Sequence, residues 1–136
     1  MEQNCTLMEK IKTKIILSIM LLAGLEMAAQ TVYSYSTREY YDYNTSKQAM
    51  ILNTKDRVGS KLIINDEKRT ILFQISGIDE VANYVDLIVK GPVNLGDGKL
   101  YLHYVYISPK NDVLHFYISK ESAKIESYGS MLRLSE

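Results

Sequence analysis

The chain has 136 residues, with sixteen basic and sixteen acidic side chains and no net charge, which disfavours nucleic acid and anionic membrane surfaces as partners. Its one cysteine, Cys5, excludes an intrachain disulfide and a thiolate-built zinc site. Eleven tyrosines beside two phenylalanines and no tryptophan point to a β-protein with a hydroxyl-bearing aromatic surface.

The first segment, residues 1–29, has the order of a secretory signal peptide. Lys10, Lys12 and Lys14 precede the apolar run 15–23, and Met27-Ala28-Ala29 supplies compact side chains for cleavage between Ala29 and Gln30. The run is too short for the ~20 apolar residues of a membrane-spanning helix. Cys5 lies ahead of it, where it cannot accept a lipid. The expected mature form is therefore a secreted or periplasmic single domain, residues 30–136, without a stable membrane anchor. The leader holds three basic and three acidic residues, so its removal leaves the domain balanced.

Strand signals open the domain at 31–35 and 39–43. Tyr33 and Tyr35 share one strand face, and Tyr41 and Tyr43 share one face of the next segment, with Tyr40 pointing the other way. Such a row can stack on a flat ligand, so these four tyrosines are candidate binding residues. Residues 46–52 read as a short helix with Ser46 as its N-cap, and 78–83 as another with Asp79 in that role. Between and after them come strands at 61–65, 69–75, 84–90, 99–107, 113–119, 123–127 and 131–134. Turn-forming residues at 65–68, 96–98, 108–112 and 128–130 join neighbours directly, and 91–98 reads as a hairpin connection. Pro92 and Pro109 are expected at strand ends or turns.

About eight or nine short strands with such turns predict an all-β fold: one antiparallel barrel or sandwich, a lipocalin-like barrel first, with an α+β sheet as the alternative. The five-residue turn sets a register in which Ile107 faces Val113, Val105 faces His115 and His103 faces Tyr117. His103 and His115 then project from one face, with diagonal neighbours ~7–8 Å apart, and are candidate ligand-binding residues. Neither of their strands carries an acidic residue to complete a metal site, so no metal and no cofactor are predicted. The opposite face, with Leu102, Tyr104, Tyr106, Leu114, Phe116 and Ile118, is expected to fill the core.

No Gly-x-Ser-x-Gly elbow occurs, neither histidine has a serine and an acid ordered around it, and no catalytic residue is assigned. The ending Met27-Ala28-Ala29-Gln30, the tyrosine-rich opening, Lys61-Leu62-Ile63-Ile64, Arg69-Thr70-Ile71-Leu72-Phe73, Gly98-Lys99-Leu100-Tyr101-Leu102 and His115-Phe116-Tyr117-Ile118 together resemble small secreted β-proteins of Bacteroidetes-type bacteria. The resemblance implies export and a β-fold. The functional expectation is a monomeric, non-enzymatic binding protein for a small apolar ligand or a partner. The rivals are an envelope structural or inhibitory protein, betrayed by an exposed strand edge, and a hydrolase with a site scattered over loops.

Overall fold

A computed structural model of the chain describes residues 30–76 and 82–136, with the backbone of Val81. The leader lies outside the described residues. Eleven strands run in chain order: β1 (Gln30–Tyr35), β2 (Thr37–Asn44), β3 (Ala49–Asp56), β4 (Ser60–Asn65), β5 (Thr70–Ile75), β6 (Val81–Tyr84), β7 (Ile88–Asn94), β8 (Leu100–Ile107), β9 (Val113–Ile118), β10 (Ser122–Ser127) and β11 (Ser130–Ser135). They form a four-stranded sheet, ordered β1-β4-β5-β6, and a seven-stranded sheet, ordered β3-β2-β11-β10-β9-β8-β7.

The all-β expectation holds, and the architecture is a sandwich. The barrel is corrected because the chain changes sheet at Ser36, at 57–59 and at 85–87, so β1 lies beside β4 and never beside β2. The α+β alternative fails as well, since no helix occurs among the described residues.

Two local devices account for the differing elements. In the β2–β3 turn the Asn44 Oδ1 accepts the Lys47 N–H at 3.0 Å and Gln48 sits at φ 49°; in the β4–β5 turn the Asn65 Oδ1 accepts the Lys68 N–H at 3.0 Å and Arg69 sits at φ 53°. An asparagine side chain that mimics a backbone turn, followed by a left-handed residue, reverses the chain into a hairpin. The helix expected at 46–52 is thereby replaced by this turn and by β3, because the reversal at 45–48 returns the chain against β2. Of the second expected helix, residues 78–80 lie outside the described residues and the remainder belongs to β6.

The single strand expected at 84–90 is two strands in different sheets. Asp86, at φ 54°, turns the chain between them, and Leu87 drops into the core with its N–H on the Arg69 carbonyl at 3.1 Å. The loop expected at 91–98 is half strand. Gly91 takes φ 90° where the β7 pairing shifts, and Pro92 follows it within an edge strand, where its missing N–H costs no ladder bond.

The core lies between the sheets. Leu62, Ile64 and Ile71 face Tyr104, Phe116, Ile118, Ile125 and Leu134, with Tyr35 and Leu87 buried among them. Tyr35 donates from the four-stranded sheet to the Ser119 carbonyl behind β9 at 2.6 Å, and Tyr104 donates from the seven-stranded sheet to Asp66 behind β4 at 2.7 Å. Burial raises both phenols far above their ordinary range, so each stays a protonated donor.

Tyr35→Phe deletes one tie between the sheets and is expected to lower unfolding free energy by about 1 kcal/mol, read from urea denaturation. Ser60 is buried at the start of β4, and its Oγ has no hydrogen-bond partner. Ser60→Ala is therefore expected to raise the urea midpoint, since it removes a desolvated hydroxyl at no loss of a bond.

Candidate functional site

Seven strands offer more inner surface than four can cover, and a cleft of about 190 Å³ remains between the sheets. Phe73 and Tyr84 line it from the smaller sheet; Tyr40, Leu114, Ile125 and Leu132 line it from the larger one. Ser127 and Ser130, at the two ends of the β10–β11 turn, add hydroxyls. Tyr84 meets Tyr106 and Phe116 edge-on, both at 5.0 Å between ring centroids. Its hydroxyl is held protonated by burial first, then by the nearby Tyr106 and Tyr40. Tyr128, between the two serines in sequence, projects wholly into solvent.

The tyrosines proposed as one row are divided. Tyr35 is buried and Tyr33 packs against the core from β1, while Tyr41 and Tyr43 lie on β2 in the other sheet. The Tyr41 hydroxyl donates to Glu39 at 2.7 Å, and Tyr43 is half exposed. No four-ring platform forms. Tyr101, on β8 two residues before His103, is buried as well, with its hydroxyl donating to Asp97 at 2.5 Å. Tyr40, Phe73 and Tyr84 are the aromatic residues at the cleft that sequence reasoning left out. The one available signal was that Tyr40 points opposite to Tyr41.

On the outer face of the seven-stranded sheet, β8 and β9 pair with Ile107 opposite Val113, Val105 opposite His115 and His103 opposite Tyr117, in the register expected from the turn. Their rings are near-parallel. His103 lies 4.5 Å from Tyr117 between centroids with an 18° tilt, and 5.3 Å from His115 with a 26° tilt. The His103 Nε2 and His115 Nδ1 approach to 3.0 Å, so one ring nitrogen donates to the other. The two imidazoles therefore meet nitrogen edge to nitrogen edge, while the face of His103 lies against Tyr117. Across the next strand, Glu126 stands opposite His115.

His103 has its pKa lowered, first by burial, then by His115 and Lys90. A histidine held neutral by folding binds fewer protons folded than unfolded. Its stabilising effect is complete above the ordinary imidazole value of about 6.5 and is lost as pH falls below it. The His103 Cε1 proton is accordingly expected to titrate below that value by NMR, and His103→Gln to flatten the acid side of a plot of urea midpoint against pH.

Among the described residues, no three His, Cys, Asp or Glu side chains gather to hold a metal ion, and no helix is long and apolar enough to cross a membrane. Compared with known proteins, the chain matches no family model, no curated protein and no solved structure.

Proposed function

We propose that the chain is an exported, non-enzymatic binding protein whose inter-sheet cleft receives a single aromatic ring or a short apolar group bearing one polar end. The cleft itself is the observation that carries this reading. An apolar cavity of about 150 Å³ admits a benzene ring, and this one, at about 190 Å³, is of the same order. Its walls are aromatic and aliphatic, with the Ser127, Ser130, Tyr40 and Tyr84 hydroxyls available to fix orientation, which is the usual division of labour in a ligand site. Export rests on the leader, with its charge, apolar run and compact residues ahead of Gln30.

A second reading is favoured by one feature, the edge strand β3. Met50, Ile51 and Leu52 are exposed there on both faces of a strand that ends the seven-stranded sheet among the described residues, an arrangement suited to strand addition by a protein partner. The test is native mass spectrometry of the protein recovered from its own cells, followed by NMR titration with p-cresol and with hexanoate. A mass beginning at Gln30, and shifts confined to Phe73, Leu114, Ile125 and Leu132, are expected. Leu114→Trp, which fills the cleft, should abolish those shifts while leaving the β8–β9 resonances in place. A leader still attached in exported protein would overturn the address. A cleft indifferent to both probes would move the function to the β3 edge.

A further inference from the structure

We infer that His103 and His115 chelate one tetragonal divalent cation, Cu(II), on the outer face of the seven-stranded sheet. The site lies on the face opposite the cleft and does not depend on what the cleft binds.

The argument is geometric. With metal–nitrogen bonds of about 2.0–2.1 Å, two donors 3.0 Å apart subtend roughly 91–97° at the ion. That is close to the right angle between neighbouring ligands of a square-planar or tetragonal Cu(II) centre and below the tetrahedral angle that Zn(II) takes. The lone pairs, now directed along the line between the nitrogens, converge on such an ion once each ring turns by about 40°. Both side chains are only partly buried.

The backbone has already placed the donors. Val105 and His115 are directly paired, so His103 is the diagonal neighbour of His115 on the same face, and the ladder holds the two together in the absence of metal. Binding needs no oxidation or bond cleavage. His103 shifts its proton to Nδ1, His115 carries its own on Nε2, and the metal takes the two freed lone pairs. The charge surroundings are mixed: Glu126 opposes His115 in the pairing and attracts a cation, whereas Lys90 acts on His103 and repels one. With no third His, Cys, Asp or Glu gathered at the site among the described residues, the other coordination positions fall to water or to a donor on another molecule. Two imidazoles alone favour Cu(II), the tightest of the first-row divalent ions for nitrogen ligands.

The chain contains only two histidines, so counting imidazoles on bound copper identifies the site without any variant. The purified protein is titrated with Cu(II) against glycine as a competitor and examined by electron paramagnetic resonance and electron spin-echo modulation. One Cu(II) per chain, a tetragonal spectrum and modulation from two imidazoles are expected. His103→Gln and His115→Gln should each weaken binding by roughly tenfold or more, with thermal melting in the absence of metal confirming that each variant folds. A wild-type spectrum with one imidazole or none would overturn the inference. So would undiminished binding by the variant lacking both histidines.

Discussion

Two tyrosine hydroxyls, crossing between the sheets in opposite directions, are the contacts on which the sandwich depends. Tyr35 reaches from the smaller sheet to Ser119, and Tyr104 from the larger to Asp66. The described residues contain no cysteine, so the sheets are joined by packing, by chain crossings and by these bonds. A phenol suits the task because its ring fills core volume while its hydroxyl, one ring length away, emerges at the rim beside a polar partner. Tyr84 adds a third link, from β6 to Tyr106 and Phe116 of the opposite sheet, through ring edges. Each bond is worth only about 0.5–1.5 kcal/mol, but each also fixes how one sheet is rotated over the other, and apolar contact alone does not.

This use of tyrosine explains which parts of the fold were legible in the sequence. Composition marks the residue as strand-forming and suggests a wet surface; in the structure Tyr35, Tyr101 and Tyr104 are buried. What composition cannot convey is that a hydroxyl at the end of a ring needs only a partner at the core's edge. The partners Asp66 and Ser119 lie 38 and 84 residues away in the chain. By contrast, the β8–β9 register was legible because a five-residue turn ties both strands locally, and the placement of His103 and His115 followed from it.

The strands that escaped sequence reasoning did so for separate physical reasons. β3 is exposed along nearly all its length, so it lacks the alternation of apolar and polar residues by which a half-buried strand is recognised. It is a strand because the Asn44 turn returns the chain against β2 and the ladder then forms. β6 and β7 were merged because the break between them is a single left-handed Asp86 within an otherwise apolar run. Tyr33 and Tyr35 were grouped with Tyr41 and Tyr43 on a local period of two, which is right within each strand. Ser36, which passes the chain from one sheet to the other, separates the pairs in space.

The same crossings produce the two surfaces with chemical potential. Because three strands of the hairpin series belong with β1 and the rest with β2, the sheets are unequal, and the larger one overhangs its partner. Where the overhang keeps apolar residues facing inward, as at Leu114, Ile125 and Leu132, a cleft opens beside Phe73 and Tyr84. On the outward face of the larger sheet, His103, His115 and Tyr117 settle against one another. In a closed barrel of equal staves the inner surface would be covered all round, and neither the overhang nor its cleft would arise. The departure from a barrel is thus the structural origin of the cleft, and the alternation along β8 and β9 places that cleft and the histidine pair on opposite faces of one sheet.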